Sequence, residues 1–297
     1  MLTSVALFAA LSMAPAQGQT GGMTLSNPHI TYGELGSTRP DNKLLPGDIF
    51  FLSFDIDGIK VSTAGRVKYG MAMEVTDSAG KSIFKQMPVE RDDFLPLGGT
   101  KLPARAFVSV GVEQPAGTYT CKVTVSDLSD KEKAVSKSIE QKFEVTARGF
   151  GIVQLYTSSD DQGKIPAPLV GVAGQSLFVH FAVIGFDREA DSKPQPAKKS
   201  DSDPKSKQPP GRQPNISIEM VVYDKDSKPT LPSPTVKQIP DEADGKVDEN
   251  VIGVPMRFLV PLNREGGFLI ELKATDKISG KSATVYLPLR VFPASLK

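Results

Sequence analysis

The sequence has no tryptophan, only two histidines and a single cysteine. Each shortage removes a class of chemistry. His29, His180 and Cys121 lie far apart along the chain and match no ordinary zinc-ligand spacing. Nucleophilic catalysis needs a Ser or Cys beside a base, usually His, which leaves only those two histidines to serve. A lone cysteine forms no internal disulfide. Aromatic residues make up 7% of the chain, so flat rings for stacking a sugar are few. Charge of one sign is also missing: 35 Lys and Arg face 34 Asp and Glu, and a net charge of +1 draws no polyanion such as nucleic acid. Gly98-Gly99 lacks the Lys-Ser/Thr of a phosphate-binding loop. No catalytic, metal-binding or cofactor-binding residues emerge, and no cofactor is implied.

Long apolar runs are absent too. Leu2 to Leu11 is mostly apolar and uncharged, shorter than the ~20 residues that span a bilayer, so no transmembrane segment is expected. Small residues at Ala14 and Ala16, followed by Gln17-Gly18-Gln19, fit a signal-peptidase cleavage site, although no Lys or Arg precedes the apolar run. Residues 1–16 are therefore read as a signal peptide, and the protein as secreted or periplasmic. No Cys follows that run to carry a lipid. Beyond it, no stretch keeps the i, i+3, i+4, i+7 spacing of an amphipathic helix.

What is present is a repeat. Gly47 and Gly174, Phe54 and Phe181, and Gly58 and Gly185 all stand 127 residues apart within similar segments. Met73-Glu74-Val75-Thr76-Asp77 pairs with Met220-Val221-Val222-Tyr223-Asp224 at an offset of 147. Gly117 to Asp127 pairs with Gly266 to Asp276 at 149, and Phe143-Glu144-Val145 with Leu289-Arg290-Val291 at 146. Four blocks in one order mark a duplicated domain. In the third block Tyr119, Cys121, Val123 and Val125 alternate with Thr120, Lys122, Thr124 and Ser126. That period of two, with one apolar and one polar face, suits an antiparallel sheet with a wet side. The 24 Pro and 26 Gly suit short strands joined by turns. The fold class is all-β: two tandem antiparallel β-sandwich, immunoglobulin-like domains related by internal duplication, over residues 17–147 and 148–297. The jump in offset places an insertion at 187–214, rich in Lys, Ser, Asp and Pro, which reads as a disordered loop.

Gly117-x-Tyr119-x-Cys121 resembles the strand F signature of immunoglobulin-like domains, and that resemblance implies a hydroxyl anchor at Tyr119 that Phe268 cannot provide. Leu52 and Phe54 stand where a partner Cys belongs, and no Trp fills the core, so antibody-type domains are excluded. More broadly the chain resembles the immunoglobulin-like and fibronectin-type-III-like modules of exported bacterial proteins. Leu97 to Ala106, followed by Pro115 to Tyr119, is similar to exported proteins of planctomycete bacteria. That resemblance brings no activity with it.

Residue chemistry adds little. His180 alternates with Val179 and Phe181, so it should lie on the solvent face, and His29 near the start of the first strand reads as an ordinary residue too. Cys121 should be a core thiol. The acidic run Asp241 to Glu249 fails as an EF-hand, with Pro240 and Val251 at the first and twelfth positions. It and Glu90 to Asp93 read as solvated loops; Asp160-Asp161 and Asp55-x-Asp57 are weaker signals. The expectation is a non-enzymatic binding or scaffolding protein of the cell envelope, its partner an unidentified protein or glycan. The alternatives are a calcium-assisted adhesion protein, a hydrolase acting at the domain cleft, or a protease inhibitor with an exposed loop.

Overall fold

The structure is a computed structural model that describes residues 22–130, 135–189, 212–240 and 246–294. The expected signal peptide lies outside the described residues, as does most of the 187–214 insertion. The first half folds as β1 (Thr24–Ile30), β2 (Lys43–Leu44), β3 (Ile49–Asp57), β4 (Arg66–Thr76), β5 (Ser82–Phe94), β6 (Lys101–Ser109), β7 (Gly117–Asp127) and β8 (Val135–Val145). A three-stranded sheet, β1-β3-β6, faces a five-stranded sheet, β2-β8-β7-β4-β5. The second half repeats the plan with β9 (Gly151–Ser158), β10 (Val170–Val172), β11 (Ser176–Ile184), β12 (Ile216–Tyr223), β13 (Thr235–Ile239), β14 (Gly253–Pro261), β15 (Gly266–Asp276) and β16 (Ser282–Phe292). Its sheets are β9-β11-β14 and β10-β16-β15-β12-β13. The fold is all-β, two immunoglobulin-like sandwiches in tandem. All pairings are antiparallel except β2 with β8 and β10 with β16. Among the described residues no helix is long and apolar enough to cross a membrane.

Alternation builds the cores. On β7 the side chains of Tyr119, Cys121, Val123 and Val125 are all buried, and on β15 Ile270, Leu272 and Ala274 are fully so. Phe50, Leu52, Phe54 and Ile56 of β3 meet them from the facing sheet in the first core, as Leu177, Val179, Phe181 and Val183 of β11 do in the second. The wet faces carry the polar partners, with Thr124 hydrogen-bonded to Ser138 across β7 and β8.

The duplication extends to single hydrogen bonds. Gly47 (φ +94°) and Gly174 (φ +99°) open the two equivalent turns. Each donates its amide to a carbonyl at the end of the opposite strand, Val110 in one copy and Leu262 in the other. A buried carboxylate recurs at the end of β7 and β15. Asp127 accepts the amides of Lys60 and Ser129; Asp276 accepts those of Asp187 and Ile278. Lys60 and Asp187 are again 127 residues apart, so each Asp pins the loop that follows β3 or β11. Burial pushes the Asp276 carboxyl up, but these amides and the Ser279 hydroxyl at 2.6 Å outweigh it and hold the group below its ordinary value.

The Tyr119 hydroxyl donates to the Pro115 carbonyl at 2.8 Å and accepts from the Gln114 side chain. In the second copy Arg264 takes the place of Pro115, and its guanidinium stacks 5.1 Å from the Phe268 ring.

One loop expectation changes. Glu90 to Asp93 lie inside β5, which extends for 13 residues; Arg66 pairs with Asp92, and Tyr69 donates to Asp93 at 2.8 Å. At the insertion, whose residues 190–211 lie outside the described residues, the flanks are tied together. Arg188 bridges Pro214, and its guanidinium donates to the carbonyls of Arg212, Asp248 and Val251. Of the acidic run at 241–249, residues 241–245 lie outside the described residues.

Asp276→Ala leaves buried amides and a hydroxyl without an acceptor. The expected loss is about 3 kcal/mol of stability in urea unfolding, with a smaller loss for Asp276→Asn, which keeps one acceptor oxygen.

Candidate functional site

The two sandwiches meet through more than the chain that joins them. Tyr32, carried between β1 and β2, is buried in the core of the second sandwich. Gly33 follows in the left-handed region (φ +71°), where a Cβ would lie 2.4 Å from the Cβ of Tyr156, so only glycine lets the segments approach. Arg39 stacks 4.7 Å from the Tyr32 ring and reaches Asp48 at 2.9 Å. Asp48 is 2% exposed. Its carboxylate accepts the Arg39 guanidinium, its neighbour's amide at Ile49, and the amide of Gln154 in the second sandwich at 2.8 Å. Gln154 is the positive-φ residue of a bulge in β9, and the Gln154 side chain donates back to the Gly47 carbonyl. At the equivalent place in the second copy stands Gln175, whose side chain turns back on the amide of Val172.

A groove runs from this seam across the outer face of the first sandwich. At the seam end, a cavity of about 180 Å³ is lined by Arg39, Asp48, Phe51, Gln154 and Tyr156. Glu34 and Phe51 continue into a second hollow of about 370 Å³, reaching Tyr69, Arg105 and Phe107. Phe51 and Phe107 stack with centroids 5.4 Å apart, and Phe107 is 61% exposed. The exposed Phe107 ring, the half-buried Phe51 ring and the Arg105–Glu34 ion pair border one continuous groove.

His180 departs from the sequence reading. It lies on the face opposite the core, as the alternation requires, yet it is buried. Tyr156, its register partner on β9, stacks on it at 4.8 Å, and Phe178 flanks it. Its Nε2 lies 2.7 Å from the Oγ of Ser158. Ser158 Oγ also lies 2.6 Å from the Asp160 carbonyl, to which it donates, so one hydroxyl bridges the imidazole and the turn. Ser158 is also fully buried. The pair holds the turn at Asp160, whose carboxylate accepts the amides of Ile165 and Lys164 and is held below its ordinary pKa by them.

The other candidates fall in ordinary surroundings. His29, in β1, makes a local contact with the Asn27 carbonyl. Cys121 is fully buried, and burial pushes its thiol up to about 12. Asp55 and Asp57 share Lys101 as a counter-ion, with Ser26 donating to Asp57. Among the described residues no cluster of three or more His, Cys, Asp or Glu could hold a metal ion. Asp48 and the ring platform went unnoticed in the sequence. Asp48 stood inside a turn motif, and Phe51 differed from its neighbours only in alternation phase.

No protein-family model and no curated protein matches the chain. Among solved structures, the C-terminal domain of the Streptococcus agalactiae AgI/II polypeptide BspA aligns over 90% of this chain and 100% of its own, at 9% identity and a TM-score of 0.28. A second such structure, BspA_C_WT, aligns over 89% and 99% at 10% identity and 0.26. A Pseudomonas fluorescens alkylpurine DNA glycosylase, AlkC, bound to DNA containing an abasic site analog, aligns over 44% of this chain and 34% of its own, at 18% identity and 0.26. Likenesses this weak carry no argument about function.

Two outcomes follow. Asp48→Ala strands the Arg39 charge and two amides, and should cost about 3 kcal/mol in chemical unfolding, with faster proteolysis at the seam. Burial lowers the His180 pKa below its ordinary 6.5. The unfolded chain then takes up a proton first, so this contribution is intact above about pH 6.5 and is lost as pH falls below it. Thermal midpoints should fall between about pH 7.5 and about pH 5.5, and more shallowly in His180→Gln.

Proposed function

We propose that the protein is an exported, non-enzymatic binding module, and that the groove from the Asp48 seam to the Phe51–Phe107 platform is its recognition surface. The observation that carries this reading is the stack of exposed Phe107 on half-buried Phe51, continuous with a hollow that both sandwiches line. A rigid face with rings and fixed charges binds without a reacting group. The reading of residues 1–16 as a signal peptide is what places the partner, a protein or glycan, outside the cytoplasm. The test is capture by immobilised residues 17–297 from an envelope and culture-supernatant extract, beside a Phe107→Ala variant. A discrete species held by the parent protein and weakened about tenfold by Phe107→Ala is expected. An empty eluate, or capture that ignores the substitution, counts against the groove.

A further inference from the structure

The duplicated sandwiches differ in one place where they ought to agree. In the first copy, the gap between the sheets beside β5 is a hollow of about 110 Å³, closed by Ile83, Phe84, Tyr119 and Phe143. A run of rings fills it: Phe50 stacks on Phe143 at 4.4 Å, and Phe143 on Tyr119 at 5.7 Å. At the corresponding place the second copy holds a cleft of about 490 Å³. The offsets of the repeat explain the difference. Phe50 becomes Leu177, Phe143 becomes Leu289, and Phe84 becomes Leu231, while Ile83 becomes Thr230. Three rings are lost from one spot, and the covering strand shrinks from the 13 residues of β5 to the 5 residues of β13.

The floor of this cleft is the core itself. Met220, Val260, Leu262, Leu289 and Val291 line it and are all buried members of the second core. Its mouth carries a different chemistry. Arg264, exposed, stands over the Phe268 ring, and its charge also reaches the Asp224 carboxylate, helping to hold that group below its ordinary pKa; Asn263, Thr230 and Thr235 complete the rim. A concave apolar site of several hundred Å³ with one or two fixed polar groups is the usual form of a small-molecule pocket. We propose that this cleft binds a small amphipathic anion, a medium-chain carboxylate, with its alkyl tail between the sheets and its head group on Arg264. An apolar tail satisfies the floor, which offers no hydrogen-bond donors to a polar ligand. The planar guanidinium matches a carboxylate in a bidentate pair. This inference is independent of the groove on the first sandwich.

The test is titration calorimetry of residues 17–297 with octanoate, decanoate, dodecanoate and uncharged decanol. Each methylene that enters the cleft should raise affinity about threefold to fourfold, as burial of one methylene predicts. Decanoate should bind with a Kd below about 1 mM. Leu289→Phe, which restores a ring of the first copy, should weaken decanoate at least about tenfold. Should that crowded core not fold, Leu231→Phe offers the same block from an exposed position at the mouth. Arg264→Gln should weaken decanoate severalfold and leave decanol unchanged. No binding by the parent protein, affinity that ignores chain length, or binding unchanged in both filled variants overturns the cleft. Equal effects of Arg264→Gln on decanoate and decanol overturn the anionic head group.

Discussion

The arrangement of the whole molecule depends on one carboxylate. Asp48 is enclosed at the junction of the two sandwiches, where an unpaired charge would be costly. Three donors meet it from three places: Arg39 from the preceding loop, Ile49 from its own strand, and Gln154 from the next sandwich. The bulge at Gln154 matters here, because it frees a backbone amide from the sheet ladder and aims it across the seam. Tyr32 and Gly33 then close the same joint from the other side. A connecting segment as short as Thr146 to Gly149 limits how far the units can separate; the carboxylate fixes how they face each other.

Comparison of the two copies shows which features belong to the fold and which to the place of each copy in the chain. The buried Asp127 and Asp276 do the same task in both, holding the loop after the second long strand. Asp48 has no counterpart. Its position in the second copy is Gln175, which satisfies a nearby amide instead of a neighbouring domain. Interior rings diverged likewise: the first copy fills its sheet-to-sheet gap with Phe50, Phe143 and Tyr119, whereas the second leaves it open. Duplication supplied a redundant core, and substitutions that hollow one copy left the other intact.

Much of the fold was legible in the residues because β-structure writes itself in short range. The alternation through Tyr119 to Val125 named the buried face of β7, and the glycines at offset 127 named the turns. Tyr119 announced its own hydroxyl anchor. The site was far less legible. Alternation placed His180 on the outer face correctly, but a period of two says nothing about what covers that face. The cover comes from Tyr156 and the turn at Asp160, more than a dozen residues away. Asp48 read as a turn residue because its essential partner, the Gln154 amide, has no side-chain signature. The ring losses in the second copy involve separate strands, and they become one vacancy only when the sheets are stacked.

The parallel pairing of β2 with β8 and of β10 with β16 has a mechanical consequence. In each sandwich a longer strand, β1 or β9, comes before the short one and is paired antiparallel in the opposite sheet. Tension that passes this first strand would slide the short strand along the long one beside it, loading their few hydrogen bonds together instead of unzipping them one by one.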